Sequence, residues 1–152
     1  MLISRGTRVR FQARAAAEVI FLRRILVVDD DQQIRFMLRM ALEREGYELD
    51  EAGDGKTAMA LLASKPFDLV ITDIIMPGKE GIQVIKEMQR DHPDLKIIAI
   101  SGGGYMAASK YLDSAADFGA DLTLSKPLSR ADLLSAVRFL LPEDDQEMKA
   151  AE

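Results

Sequence analysis

Five short apolar runs recur along the chain, each followed by a longer stretch whose apolar residues return every three or four positions. The runs are Ile25–Val28, Tyr47–Ala52 (the weakest), Leu69–Thr72, Ile97–Ile100 and Leu122–Ser125. "ILVV", "LVIT" and "IIAI" are almost continuously apolar. Strands of a parallel sheet covered on both faces have that pattern. The intervening stretches predict five helices. Asp31 is placed to cap the first, which carries Ile34, Met37, Leu38, Ala41 and Leu42 on one face and stops at Gly46. Asp54 caps the second, with Ala58, Leu61 and Leu62 facing inward, and that helix ends before Pro66. The third opens near Gly81, carries Ile82, Val84, Ile85 and Met88, and closes before Pro93. The fourth runs from about Met106 to Phe118, with Gly119 at its C-terminus. The fifth follows Ser129, turns Leu133, Leu134, Val137, Leu140 and Leu141 inward, and stops at Pro142. Met37, Met40, Met59 and Met88 fall at helical core spacing and read as packing residues.

Strands alternating with helices predict an α/β fold of (βα)₅ type with right-handed crossovers. Five units are too few for an eight-stranded barrel, so an open, doubly wound, flavodoxin-like parallel sheet is expected, with strand order 2-1-3-4-5. The pattern fills residues 25–142 and leaves no gap for a second domain. Residues 1–24 read as a basic N-terminal extension, flexible or partly helical, because they lack turn punctuation and a clear apolar period. A basic arm, a transit-like segment and an upstream start codon are the alternatives for it. Residues 143–152 read as a frayed polar tail.

Composition narrows the chemistry. A chain of 152 residues has room for one domain of ordinary size. It has no cysteine, which removes disulfides, thiolate metal sites and cysteine nucleophiles. Its one histidine, His92, cannot build a histidine metal cluster and is assigned no role. No apolar run approaches the roughly 18 residues that span a bilayer, so a soluble, cytoplasmic protein without membrane insertion is expected. Six arginines against Glu18 give residues 1–24 a net charge of +5, and the whole chain carries −5. The remaining body is strongly acidic, a balance that repels nucleic acid.

The carboxyl ends of the runs carry polar residues in register. The first run leads into Asp29, Asp30 and Asp31, the third into Asp73, the fourth into Ser101 and the fifth into Lys126. Open α/β sheets bind ligands outside these edges, where the strand order reverses. In the order 2-1-3-4-5 the first and third strands are neighbours there, which brings Asp29, Asp30 and Asp73 into one pocket beside a hydroxyl and an ammonium. Three carboxylates so close repel one another by a few kcal/mol at an intermediate dielectric. A hard divalent cation relieves that repulsion. Mg2+ suits the site, with Asp30 and Asp73 as ligands and Asp29 reaching it through water. An ionised carboxylate can also attack phosphorus without a base, and Lys126 and Ser101 can stabilise the incoming phosphoryl group. Asp31 is assigned to helix capping.

The stretches "ILVVDDD", "DLVITDIIMPGKEG", "IIAISG" and "LSKPL" together resemble the receiver domain of two-component response regulators. The resemblance implies that Asp73 is the phosphoacceptor, Asp29 and Asp30 the magnesium pair, and the backbone carbonyl of Ile75 a further ligand. It implies that Ser101 is the switch hydroxyl, that Lys126 contacts the phosphate, and that the Lys126–Pro127 peptide is cis. Gly102, in the "GGG" after the fourth run, would let its amide approach the phosphate closely. The phosphoryl group would come from a sensor histidine kinase or a phosphotransfer protein. A downstream protein partner would then read helix four, strand five and helix five. No output domain is expected after residue 142. One position departs from the family: Thr123 stands on the fifth strand where many members carry an aromatic residue. A rival reading is a Mg2+-dependent phosphatase of the haloacid dehalogenase type, suggested by Asp29-x-Asp31. Gln33 stands where that family's usual threonine or valine belongs, and the chain lacks room for a substrate cap.

Overall fold

In the computed structural model, which describes residues 7–11, 19–74, 81–101 and 119–142, side chains are described from residue 22 onward. The strands are β1 (Thr7–Phe11), β2 (Val19–Val28), β3 (Glu48–Ala52), β4 (Leu69–Asp73), β5 (Lys96–Ser101) and β6 (Leu122–Ser125). The described helices are α1 (Gln32–Glu43), α2 (Gly55–Ser64), α3 (Gly81–Asp91) and α4 (Arg130–Leu140). Five strands form a parallel sheet in the order β3-β2-β4-β5-β6. Counted over the five apolar runs this is 2-1-3-4-5, the order expected from the sequence.

The sheet is buried on both faces because its central strands are apolar on both. Leu26 and Val28 of β2, Val70 of β4 and Ile97 of β5 pack with Leu62, Val84, Ile85 and Met88 of α2 and α3. Ile25 and Val27 point the other way and join Ile71, Ile98, Leu38, Leu42, Leu133 and Val137, which belong to the sheet, α1 and α4. Each such side chain stabilises the fold by roughly 1.5–3 kcal/mol relative to exposure. The period-two alternation within continuously apolar strands thus supplies two cores from one sheet.

Helix starts follow the expected caps. Asp31 accepts from the Gln33 N–H, Asp54 from the Thr57 N–H, and Ser129 from the Asp132 N–H. Gly46 ends the first helical segment with φ +96°, a conformation that costs any other L-residue free energy.

Two expectations need correction. Residues 7–11 and 19–24 are not flexible or helical: β1 pairs antiparallel with the first half of β2, from Thr7↔Arg23 to Phe11↔Val19. Arg8 to Phe11 alternate polar and apolar residues, and Val19, Ile20 and Phe21 are β-branched or aromatic, which favours pairing as strands. Met37 and Met40 are not core residues: they are 60% and 49% exposed. The buried stripe of α1 runs through Leu38 and Leu42, with Ile34 and Ala41 packed against it, and this leaves Phe36, Met37 and Met40 on the flank. Met88 is buried and Met59 packs against the core. The predicted fourth helix and the C-terminal tail lie outside the described residues. Among the described residues, no helix is long and apolar enough to cross a membrane.

Candidate functional site

The site sits where β2 and β4 end side by side. Asp29 and Asp30 follow Val28 directly, and Asp73 is the last residue of β4. Asp29 and Asp73 are buried, whereas Asp30 is exposed. The three offer carboxylate oxygens that all lie within 4.8 Å of one another. The Lys126 ammonium, just past β6, donates to Asp29 Oδ2 and to Asp73 Oδ2, each at 3.0 Å. Four of the residues singled out in the sequence are therefore brought together from three strand ends.

Electrostatics follow from burial. Burial pushes the Asp29 carboxyl above the usual carboxylate range, and the neighbouring Asp73 charge adds to this. The Asp31 N–H and Lys126 oppose the shift without cancelling it. For Lys126 burial acts downward, but its hydrogen bonds to Asp73 and Asp29 outweigh this and hold the group firmly as an ammonium. Among the described residues, one ammonium therefore faces three carboxylates. The donor set is all hard oxygen, without histidine or cysteine, and it fits a Mg2+-class cation in both charge and chemistry.

Ser101 ends β5, one position past Ile100, the register partner of Asp73. It is fully buried, and among the described residues its Oγ has no hydrogen-bond partner. A buried hydroxyl without a partner costs about 1–3 kcal/mol, so a ligand atom that satisfies it is favoured. The Lys126–Pro127 peptide is cis. Thr123 lies half-buried on β6, in register with Ala99. Ile75 and Gly102 lie outside the described residues. Gly81, the first residue of α3, approaches the strand end closely: a Cβ there would come within 2.3 Å of the Ile74 Cα and carbonyl oxygen. Any side chain at 81 would push the helix start away from the residue that follows Asp73.

Asp31 takes no part in the acidic cluster; its Oδ1 accepts from the Gln33 N–H at 2.9 Å. Its carboxylate thus serves the start of α1, as the sequence assigned it. The sequence did not single out Arg35 or Glu51. Arg35 Nη1 donates to the Asp29 carbonyl at 2.6 Å, and its Nε donates to Glu51 at 3.1 Å. One signal was available: a cation near a helix N-terminus opposes the macrodipole, which suggests that a nearby acidic or carbonyl partner holds it there.

The model of the response regulator receiver domain matches residues 25–138. Response regulator MprA of Mycobacterium avium is 36% identical over 131 residues, which cover 84% of this chain and 56% of that protein. The chain thus spans about half the length of that relative. Response regulator receiver protein CpdR of Brucella abortus is 35% identical over 120 residues, or 79% of this chain and 98% of that one. Among solved structures, response regulator TrrA of Thermotoga maritima, in complex with Mg2+-BeF, is 38% identical. It superposes with a TM-score of 0.70 over 78% of this chain and 99% of its own. Receiver domains are signalling switches rather than enzymes in the ordinary sense. With the strand order, the three carboxylates and the lysine all in place, this chain belongs to the response regulator receiver family of two-component signalling.

Proposed function

We propose that Asp73 accepts a phosphoryl group from a phosphohistidine on a sensor kinase or phosphotransfer protein. An Asp73 carboxylate oxygen attacks phosphorus, the P–N bond breaks, and the electron pair leaves with the imidazole, which takes up a proton. Asp30, Asp73 and the Ile75 carbonyl would hold Mg2+, with Asp29 reaching it through water, and the cation would spread the charge of the transferring group. Lys126 neutralises the nucleophile's surroundings and meets the phosphoryl oxygens as a compact point charge. Ser101 supplies the hydroxyl that would turn to the phosphoryl group, and the Gly102 amide would approach it. With Thr123 in place of an aromatic residue, displacement of the chain that follows Ser101 carries the signal to a downstream protein.

The observation that carries this reading is the clustering of Asp29, Asp30 and Asp73 oxygens within 4.8 Å of one another, with the Lys126 ammonium on Asp29 and Asp73. Incubation with Mg2+ and acetyl phosphate, followed by intact mass measurement, should add one phosphoryl group. Asp73→Asn should lose the adduct, whereas Asp31→Asn, a change confined to the helix cap, should keep it. Sustained turnover of a simple phosphate ester that requires Asp29 would instead support a phosphatase.

A further inference from the structure

Four contacts hold Asp29 at the rim of the cup. Its N–H donates to the Ala52 carbonyl at 3.1 Å, its Oδ1 accepts from the Asp31 N–H at 2.9 Å, and its Oδ2 accepts from Lys126. The fourth contact comes from α1: Arg35 Nη1 donates to the Asp29 backbone carbonyl at 2.6 Å. Arg35 is itself clamped. Its Nε donates to Glu51 Oε1 at 3.1 Å, and the other Glu51 oxygen accepts from Arg39 Nε at 2.5 Å. Arg39 in turn donates to Glu43 at 2.9 Å, so the chain of contacts ties α1 to the end of β3.

The Asp29 carbonyl and the Asp30 N–H share one peptide plane. Fixing the carbonyl therefore fixes the direction in which Asp30 leaves the backbone. This matters most for Asp30, because it is the exposed member of the three and packing does little to hold it.

We infer that Arg35, clamped by Glu51, is a positioning residue for the cation site: it orients the Asp29–Asp30 peptide so that the Asp30 carboxylate converges with Asp29 and Asp73. The inference rests on the reading of these carboxylates as a Mg2+ site. Charge and position predict opposite signs here. A guanidinium beside the cup repels Mg2+, so on charge alone its removal tightens binding. If it acts by position, its removal loosens binding. Outer-shell partners of metal ligands typically contribute 10- to 100-fold in affinity.

The test is calorimetric titration of the full chain with Mg2+, with the metal-free thermal midpoint measured separately. Arg35→Ala should bind Mg2+ about tenfold more weakly. Arg35→Lys keeps the charge without the two-pronged donor geometry and should fall between Arg35→Ala and the parent. Glu51→Gln, which loosens the clamp but leaves Arg35 in place, should show a smaller loss in the same direction, and it carries the test should Arg35→Ala fail to fold. Tighter or unchanged Mg2+ affinity in Arg35→Ala, whatever its midpoint, overturns the inference. A parent protein that does not bind Mg2+ overturns the phosphoacceptor reading first and takes the inference with it.

Discussion

The two ends of one sheet handle charge in opposite ways. Toward the amino edge, Arg24 donates to Asp50 at 2.7 Å and to Glu48 at 3.2 Å, and Lys65 reaches Asp50 at 3.1 Å. Arg23 lies 4.0 Å from Asp68, and the Arg24 guanidinium sits 5.9 Å from the Phe67 ring centroid. Three cations meet three carboxylates. At the carboxyl edge, Asp29, Asp30 and Asp73 meet Lys126 as the one ammonium among the described residues. Among the described residues the first cluster matches its charges one for one and ties β2 to β3. The second is left two negative charges in excess among the described residues, which is the charge a divalent cation brings. Carboxylates crowded beyond their cations cost the fold stability, and the cost is tolerated where a ligand offsets it.

Asp68 sharpens the comparison with the largest expected effect. It accepts from the Arg24 N–H at 2.8 Å, yet burial pushes its carboxyl up to about 6 against that bond and the charges of Arg23 and Arg24. The folded value exceeds the unfolded one, so the protonated form stabilises the fold at low pH. That contribution is lost as pH rises from about 4 through about 6. Asp68→Asn keeps an acceptor for the Arg24 N–H and cannot ionise. Its stability relative to the parent should rise by up to about 3 kcal/mol between about pH 4 and pH 7, read by urea unfolding. A difference independent of pH would mean that the balanced edge accommodates the Asp68 charge without cost.

A smaller effect should differ in sign between the two edges. Burial holds the Asp29 carboxyl above its ordinary range. Asp50 behaves otherwise: burial acts upward, but Lys65 and Arg24 outweigh it and hold the carboxyl below its ordinary range. The ionised form is therefore a liability at Asp29 and an asset at Asp50 near neutral pH; the Asp50 contribution is lost as pH falls through its lowered value. Asp29→Asn should stabilise the metal-free protein and diminish the stabilisation that Mg2+ confers. Asp50→Asn should destabilise it by about 1–2 kcal/mol with or without Mg2+. Changes of the same sign would remove the distinction between the edges.

The carboxyl edge was legible in the sequence and the amino edge was not. Asp29, Asp73, Ser101 and Lys126 each follow an apolar run, so the run that sets the strand also marks its end. Parallel topology then aligns those ends. Caps such as Asp31, Asp54 and Ser129 were legible for the same local reason. The Arg24 and Arg35 networks join residues 16 to 44 positions apart across different elements, and no periodicity records which cation meets which carboxylate. The strand β1 was hidden because the segment linking it to β2 lacks the turn residues that announce a hairpin. The outward placement of Met37 and Met40 was hidden because α1 carries apolar residues on more than one face, and which stripe meets the sheet is decided by packing.

The central claim is that Asp73 is the nucleophile of a cation-dependent cup, and the most direct measurement is the location of the phosphoryl group itself. After reaction with acetyl phosphate and Mg2+, borohydride converts an aspartyl phosphate to homoserine, and peptide mass mapping then identifies the residue that carried it. The expected result is modification at Asp73 alone, abolished by EDTA. Modification at Asp29 or Asp30, or labelling indifferent to Mg2+, would contradict it.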